Sequence, residues 1–305
     1  MRLLHENIRL GNTLTTFGQL FVIMLLVANG LTGCSTTPEA EEVNRPAEQL
    51  YAEGVDALHQ KKYKMATDRF QELDRKHPFS PLAIRAQVNL IYAHFKKEEF
   101  IDAISMAERF TRLHPKHPYV SYAYYMRGLS FYKQISSATQ DQGNTREAMN
   151  AFQELISRFP KSDYAWEATQ MVVLCKDRMA EQEMVVARYY LDQEEYIAAS
   201  NRFGHVVSSP VYSATPYVEE ALFSLVLTSK RLGLLEEARN HAAVLGHNFP
   251  EGSFYRYALT LLETDQAPSR SELAALRQGI AQRSVLERLF QGTSPGLAPT
   301  QQKDM

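Results

Sequence analysis

The 305-residue sequence predicts an all-α protein, a TPR-like α-solenoid of about five irregular helix-turn-helix repeats. Two observations predict this fold class. Glycine and proline are sparse, at 14 and 13 residues, whereas residues that favour helices, such as Ala, Leu, Glu and Gln, are common. In addition, one apolar pattern recurs along the chain with the spacing of a helix face, and a proline follows each copy.

The composition limits the classes of function. The formal net charge is −2, whereas a nucleic-acid-binding domain is usually basic, so no nucleic-acid partner is predicted. The two cysteines, Cys34 and Cys175, cannot form a disulfide scaffold or a four-cysteine zinc site. These counts exclude a small disulfide-stabilised domain and leave a different role open for Cys34.

Residues 1–33 have the organisation of a signal peptide. Arg2 and Arg9 precede the apolar run LFVIMLLVA at residues 20–28, which is too short to span a bilayer because a spanning helix needs about 20 apolar residues. The alternative is a membrane anchor over residues 10–31. That anchor would place several polar side chains in lipid, namely Asn12, Thr13, Thr15, Thr16 and Gln19.

The segment Leu31-Thr32-Gly33-Cys34 resembles the lipobox of bacterial lipoproteins, in which small residues precede an invariant cysteine. The resemblance implies cleavage before Cys34, diacylglycerol on its sulfur and an acyl chain on the new amino terminus. Several chains are needed because one acyl chain anchors a protein only marginally. Ser35, in place of Asp, implies sorting to the outer membrane. Residues 34–46 are polar and predict a lipidated flexible tether.

The recurring pattern places an aromatic residue or Leu first, Ala three residues later, an aromatic residue or Ala four further on, and an apolar residue three beyond that. Steps of three, four and three keep these side chains on one face of a helix, and a proline five residues later ends it. Three copies are complete: Tyr63, Ala66, Phe70, Leu73, Pro78; Phe100, Ala103, Ala107, Phe110, Pro115; and Leu235, Ala238, Ala242, Leu245, Pro250. Two are irregular, with Thr145 leading one copy and Pro210 one residue early in the other: Ala148, Phe152, Leu155, Pro160; and Tyr196, Ala199, Phe203, Val206.

A second apolar helix is predicted before each copy, and Gly54 and Gly128 lie where two of these helices would pack tightly. This arrangement is that of the tetratricopeptide (TPR) repeat, although an unrelated helical bundle is the alternative. The solenoid is predicted over residues 47–265, with repeats near residues 47–80, 84–117, 121–162, 180–212 and 217–252.

The repeats depart from the regular 34-residue period. Their alanine positions are 37, 45, 51 and 39 residues apart, which indicates two insertions. Residues 134–146 predict a loop, and residues 163–183 predict an extra or extended helix in which Cys175 is a buried apolar residue. The extension at residues 266–305 predicts one helix over residues 271–290 and a disordered tail.

No catalytic motif is found, since the sequence has no glycine-rich phosphate loop, HExxH or CxxC. His114 and His117 could bind a metal, but Pro115 and Pro118 make this segment extended, and no carboxylate or cysteine is near in sequence. We therefore predict no metal, no cofactor and no enzymatic activity. A solenoid acts by recognition along its surface, so the expected function is that of a binding scaffold.

Residues 109–133 interleave five basic residues with seven aromatic residues. Arginine binds carboxylates through two hydrogen bonds, and aromatic rings contact apolar side chains. The combination suits an extended peptide that ends in an aromatic residue with a free carboxylate, and it would also suit single-stranded nucleic acid. The alternative is that the tyrosines pack the interior of the repeats, which we expect for at least half of them.

Together the lipobox, tether and repeats resemble the BamD/ComL family, lipoproteins of the β-barrel assembly machinery of Gram-negative outer membranes. Five short segments over about residues 30–255 carry the local resemblance: HPFSP at 77–81, LIYA at 90–93, RFTRL at 109–113, YMRGL at 125–129 and KDR at 176–178. In the first segment, His77 and Ser80 stand where the family commonly has Tyr and Gly, which leaves the shape of that turn open.

The resemblance implies a scaffold on the periplasmic face of the outer membrane. It would receive unfolded outer-membrane proteins through their C-terminal β-signal and bind the periplasmic domains of BamA, alongside other lipoproteins of the complex. Carried over residue by residue, substrate binding is expected at Phe79, Tyr92, Arg109, Arg112, Tyr125 and Arg127. Contact with the BamA-like partner is expected at Asp177, Arg178, Asn201 and Arg202. The alternative is another TPR lipoprotein, such as a pilus-assembly pilotin or a cell-wall-enzyme adaptor.

Overall fold

The computed structural model describes residues 45–135 and 142–283, and these ranges contain twelve α-helices. A compact unit begins at Ala47. The predicted signal peptide, Cys34, most of the tether and the residues after 283 lie outside the described residues. No helix within the described ranges combines the length and the apolar character needed to cross a membrane.

Ten of these helices form five pairs, and each helix packs against the next one in the chain. The pairs are α1 (Ala47–His59) with α2 (Tyr63–Lys76), α3 (Pro81–Lys96) with α4 (Phe100–Leu113), α5 (Val120–Lys133) with α6 (Gly143–Arg158), α7 (Asp163–Asp192) with α8 (Tyr196–Ser208), and α9 (Val218–Arg231) with α10 (Leu235–Asn248). Two further helices follow, α11 (Ser253–Thr264) and α12 (Arg270–Arg283). The predicted all-α, TPR-like solenoid is confirmed.

The core is built from the recurring apolar pattern. The aromatic residues Phe70, Phe110, Phe152 and Phe203, one in each of four repeats, are fully or almost fully buried, and the alanines of the pattern lie in the same core. Burial of such side chains is the main favourable term in folding, and it accounts for the regular spacing seen in the sequence.

Two glycines allow the first helix of a repeat to approach the second. A Cβ atom added at Gly54 would lie 2.5 Å from the ring of Phe70, and one added at Gly128 would lie 2.6 Å from the ring of Phe152. Both distances are shorter than atomic contacts allow, so only glycine fits. The predicted tight packing at these positions is confirmed.

The second helix of each repeat ends just before its proline. His77, His114, Phe159 and Phe249 share φ near −130° and ψ of 52–60°, outside the helical region. A residue that precedes proline is excluded from the helical conformation by contact with the proline ring. The fourth repeat differs, since Pro210 comes one residue early and Ser209 is extended, with φ −76° and ψ 125°.

The turns inside four repeats share a left-handed residue. Lys61, Glu98, Glu194 and Gly233 have φ between +57° and +78°, which reverses the chain between two antiparallel helices. In the third repeat, residues 134–142 replace this short turn. The first, second and fourth turns are polar, whereas the fifth, at residues 231–235, is rich in leucine.

Three sequence expectations change in detail. Residues 163–192 form one continuous 30-residue helix, so the predicted insertion is an extension of α7 and not a separate element. The loop predicted over residues 134–146 ends at 142, because α6 already begins at Gly143, where Asn144 donates a hydrogen bond to the carbonyl of Gln134 at 3.2 Å. Helix α11 was not predicted as a separate element.

The two remaining expectations concern α12 and Cys175. Helix α12 covers residues 270–283 of the predicted helix at 271–290, and residues 284–290 lie outside the described part of the chain. Cys175 is fully buried in the middle of α7. Burial raises the pKa of its thiol to about 12, so the group is neutral at physiological pH and acts as the small apolar residue that was predicted.

Candidate functional site

Phe79 lies in the turn between the first two repeats. Ser80 caps α3 by accepting a hydrogen bond from the backbone N–H of Leu82 at 3.2 Å, and Pro81 occupies the first position of the helix. This local structure leaves the side chain of Phe79 100% exposed. Its ring therefore contributes nothing to the core and is available for contact with another molecule.

Arg109 and Arg112 project from the last turns of α4. Arg109 Nη1 lies 3.2 Å from Asp74 Oδ2 at the end of α2, and its side chain remains 46% exposed. Arg112 is one turn further along the same helix face and is exposed, with no ion pair to any residue that the structure describes. We call Phe79, Arg109 and Arg112 the N-terminal basic surface.

Asp74 is fixed by a second contact, which holds Arg109 in place. Gln87 in α3 donates a hydrogen bond to Asp74 Oδ1 at 2.7 Å, and His114 Nε2 lies 3.1 Å from Gln87 Oε1. The chain of contacts joins the carboxyl ends of α2 and α4 to α3. It therefore holds Arg109 against the end of α2, the helix that the turn with Phe79 follows in sequence.

Arg127 has a different environment from Arg109 and Arg112. Its Nη2 donates to Glu154 Oε2 at 2.5 Å, and Arg158 Nε lies 2.9 Å from the other oxygen of Glu154. Both guanidinium groups lie over the ring of Tyr124, at 5.1 and 5.8 Å from its centre. Burial acts to raise the pKa of Glu154, but Arg127 and Arg158 outweigh it and the pKa is lowered. Arg127 is thus engaged within the protein and is not a free cation.

Tyr92 and Tyr125 lie in the core, although both are predicted substrate-binding residues. The ring of Tyr125 stacks on that of Tyr164 with centres 5.2 Å apart, and burial raises its pKa strongly. Burial, with a smaller effect of Tyr63, raises the pKa of Tyr92 to about 12. Both rings pack within the repeats, as the interior-packing alternative expects for Tyr125, and a role of Tyr92 and Tyr125 in substrate binding stays a prediction.

Asn201 and Arg202 are exposed on α8. Arg202 Nη1 lies 3.1 Å from Glu183 Oε2 of α7, and His205 Nδ1 lies 3.6 Å from the other oxygen of the same carboxylate. The side chain of Arg202 is 48% exposed, whereas that of Glu183 is 16% exposed. Arg202 thus pairs within the chain and still presents half of its surface to solvent.

Asp177 and Arg178 occupy the middle of α7. Arg178 Nη1 donates to Glu181 Oε2 at 3.2 Å. Asp177 is only 8% exposed. Burial, together with the negative charge of Glu181, raises the pKa of Asp177 to about 6. The two neighbouring residues therefore differ, since Arg178 belongs to a surface ion pair and Asp177 to the interior.

Sequence reasoning missed a buried ionic cluster centred on Glu220. Arg188 of α7 binds both oxygens of this carboxylate, with Nε 2.8 Å from Oε1, and Arg277 of α12 places its Nε 2.7 Å from the same oxygen. The Glu220 side chain is 1% exposed. The signal available in the sequence was the pair Glu219 and Glu220 inside the otherwise apolar helix VEEALFSLVL.

Two groups of side chains that include histidine bear on metal binding. The rings of His114 and His117 pack against Phe110, with centres 5.1 and 5.6 Å from it, and form an aromatic cluster. His94, Glu99 and Asp102 have ligand atoms within 4.8 Å of one another. Within this set, Glu99 already contacts His94 Nδ1 at 2.8 Å and Lys97 Nζ at 2.7 Å, so an ammonium group of the chain neutralises the carboxylate.

The chain is similar to one family of known proteins and to several individual members of it. Residues 43–245 match the family model YfiO, described as an outer membrane lipoprotein. Three similar relatives are each named outer membrane protein assembly factor BamD. The protein from Caulobacter vibrioides is 34% identical and covers 88% of both chains. That from Rickettsia prowazekii is 33% identical and covers 81% of this chain and 98% of its own. That from Neisseria gonorrhoeae is 38% identical and covers 77% of this chain and 94% of its own.

Among solved structures, two TPR proteins align over most of the chain at low similarity. The TPR2AB domain of yeast Sti1 is 13% identical with a TM-score of 0.36, covering 72% of this chain and 83% of its own. TTC0263 of Thermus thermophilus is 16% identical with a TM-score of 0.34, covering 71% of this chain and 100% of its own. The family assignment rests on the sequence relatives and the family model, which span the repeats from α1 into α10. By these matches, the chain belongs to the BamD family of outer-membrane lipoproteins.

Proposed function

We propose that this chain is a lipid-anchored scaffold of the machinery that assembles β-barrel proteins in the outer membrane. The observation that carries the proposal is the family match over residues 43–245, together with relatives that are named assembly factors. These matches support a role in outer-membrane protein assembly and association with the outer membrane. The proposed anchor is the acylated Cys34, which would hold the repeats at the periplasmic face.

Client recognition is assigned to the N-terminal basic surface. Arg112 is exposed and has no ion pair among the described residues, Arg109 is half exposed, and the ring of Phe79 is fully exposed. A guanidinium binds a terminal carboxylate, and an exposed ring binds an aromatic side chain. This combination supports recognition of an unfolded barrel protein through its C-terminal β-signal, which ends in an aromatic residue with a free carboxylate. Arg127, Tyr92 and Tyr125 are proposed as further client-binding residues, with Arg127 paired to Glu154 and the two rings largely buried.

Partner binding is assigned to the surface formed by α7 and α8. We expect an acidic residue of a BamA-like subunit to compete with Glu183 for Arg202, since half of the arginine side chain is already exposed. Asn201 precedes Arg202 on α8 and is also exposed. Asp177 and Arg178 on α7 are proposed as further residues that bind the partner. Other lipoproteins of the complex are proposed as additional partners.

Purification of the full-length protein in a mild detergent tests the proposal. We expect a barrel protein with periplasmic repeat domains to co-purify, together with further lipoproteins of the complex. Reproducible absence of that barrel protein would contradict the proposed function. In the variant Cys34→Ala, we expect the protein to leave the membrane fraction while its thermal unfolding is unchanged; if the variant still incorporates labelled palmitate, the anchor is assigned to the wrong residue.

A further inference from the structure

Asp177 is a buried carboxylate that lacks a partner. It is 8% exposed, and no hydrogen bond or ion pair joins it to any other residue in the described part of the chain. Glu220, another buried carboxylate of this region, is held by two arginines. Burial of most of a charged side chain without a compensating partner is unfavourable. The Asp177 oxygens do not belong to the fully buried polar atoms that lack a hydrogen bond, so they still reach solvent and a cation from outside the chain can approach them.

A second carboxylate lies near Asp177, although Arg178 and Arg188 also act on the neighbouring Tyr217. Glu181 follows one helical turn later on the same face of α7 and adds its own charge to the raised pKa of Asp177. Tyr217, just before α9, is buried, and after burial itself the charges of Glu181 and Asp177 are the main causes of its raised pKa. We call Asp177, Glu181 and Tyr217 the Asp177 site.

The nearby arginines are already engaged elsewhere. Arg178 donates to Glu181, and Arg188 binds both oxygens of Glu220. The chain therefore provides no guanidinium for Asp177 among its described residues, even though Arg178 is its neighbour in sequence. The Asp177 site keeps an uncompensated negative charge at neutral pH.

Glu220 shows how an arginine from another helix is accommodated in this region. Arg277, on α12, reaches the buried carboxylate at 2.7 Å, while Arg188 binds it from α7. Asp177 and Arg188 are eleven residues apart, about three turns, and therefore lie on one face of α7, about 16 Å apart along its axis. The same helix face thus supplies an arginine to a carboxylate of α9 near one end and leaves its own carboxylate unpaired further along.

We propose that the Asp177 site binds an arginine side chain of the partner that docks on α7 and α8. This inference rests on the proposed function and adds the chemistry of one contact: besides an acidic residue for Arg202, the partner presents a basic residue for Asp177. Arginine suits the position because its guanidinium is weakly hydrated and stays charged, and is therefore favoured in buried ion pairs.

The first experiment tests the site without any protein partner. The full-length protein is titrated with acetyl-arginine amide, and the NMR signals of Asp177, Glu181 and Tyr217 are followed. We expect saturable shifts with this probe, little effect of uncharged acetyl-citrulline amide, and no saturable shifts in Asp177→Asn. The exposed turn residues Glu194 and Glu195 serve as an internal control. Equal responses to the two probes, or to the site and the control, would overturn the proposal.

The second experiment identifies the source of the arginine. Binding of the purified periplasmic domains of the barrel subunit is measured for the wild type, for Asp177→Asn and for Asp192→Asn, an exposed carboxylate at the end of the same helix. Loss of a buried interfacial ion pair costs at least about 2 kcal/mol, or roughly thirtyfold in Kd. We expect this loss in Asp177→Asn and not in Asp192→Asn; equal affinities of all three proteins would overturn the proposal.

The two experiments separate this inference from the proposed function. If the small probe binds but the periplasmic domains do not bind even to the wild type, the proposed function fails while the arginine site stands. Arg288 belongs to the C-terminal segment, outside the described residues. If the wild type does not bind the probe but the full-length variant Arg288→Gln does, the site is occupied by that segment of this chain. That result would overturn the assignment to a partner.

Discussion

The first two repeats and the region from α7 to α12 differ in where they place charged side chains. In the first two repeats, Arg109 and Arg112 are exposed at the end of α4, and the ring of Phe79 is exposed in the turn before α3. From α7 onward, the carboxylates of Asp177 and Glu220 are buried, one without a partner and one between two arginines. Both regions are nevertheless built from the same helix pairs and the same apolar core.

This difference shows which properties the repeat determines and which it leaves free. The apolar pattern fixes how the helices pack, so the core of every repeat is similar. Positions outside the pattern are free to vary, and they produce a basic, aromatic surface in one half and buried acidic groups in the other. The following predictions test whether the two halves share one packing scheme and differ in electrostatics.

The largest effect on the free energy of unfolding is expected for Glu220, the buried and paired carboxylate of the C-terminal half. Glu220→Ala leaves Arg188 without its carboxylate and removes the ion pair that holds Arg277 of α12. Breaking a buried pair by removing one partner costs about 3–5 kcal/mol. Urea unfolding should show this loss, whereas Glu237→Ala, at an exposed position of α10, should change stability by less than about 0.5 kcal/mol. Similar results for both variants would mean that the cluster is not stabilising.

The next effect tests the packing that the halves share. Gly54→Ala and Gly128→Ala each place a Cβ atom within 2.6 Å of a buried phenylalanine ring. Overpacking of this kind costs about 1–3 kcal/mol, which denaturant titration of the full-length protein would detect.

The matched control is Gly204→Ala in α8, where nothing lies within 4 Å of the added atom. Replacing glycine by alanine inside a helix stabilises it by about 0.5–1 kcal/mol. We therefore expect the free energy of unfolding to rise in Gly204→Ala and to fall in the other two variants. A loss of stability in Gly204→Ala would show that the close approach to phenylalanine is not the cause at the other two positions.

Stability should also depend on pH through Asp177. Its folded pKa of about 6 lies above its ordinary value of 3.8, so between these values the folded state binds more protons than the unfolded state. Stability from this group is present at low pH and falls as pH rises from about 4 to about 6. Comparison of wild type with Asp177→Asn across this range should reveal a contribution of about 1–2 kcal/mol. Identical pH profiles would contradict the raised pKa.

The smallest effect on stability is expected at the partner-binding surface. Arg202→Glu removes an exposed ion pair with Glu183, and exposed pairs contribute about 0–1 kcal/mol. We expect unfolding to change by no more than about 0.5 kcal/mol while affinity for the barrel subunit falls. A large decrease in Tm would instead assign Arg202 a structural role.

The fold was predictable because apolar spacing and proline position are local features. The pattern from Tyr63 to Pro78 contains its own helix face and its own end, and the same holds in every repeat. The continuous helix α7 was harder to predict. Residues 163–183 and residues 184–191 each have a helical pattern, and nothing between them indicates whether the chain turns.

The candidate site was predictable only in part. Family segments identified Arg109, Arg112 and Arg202, but the burial of Tyr125 and Asp177 depends on which neighbouring helices cover them. The same limit applies to Glu220, whose partners Arg188 and Arg277 lie 32 and 57 residues away. Contacts between distant segments follow from packing, and a single sequence does not encode them in any local spacing.

The most direct test of the account measures two variants in two binding assays. Arg112→Glu and Asp177→Asn are each assayed against a peptide ending in phenylalanine with a free carboxylate, and against the periplasmic domains of the barrel subunit. Arg112 is chosen over Arg109 because it forms no ion pair with the described residues. We predict that Arg112→Glu weakens only peptide binding and Asp177→Asn weakens only binding of the barrel subunit. If either variant weakens both interactions equally, or neither, the division of the solenoid into two binding surfaces is wrong.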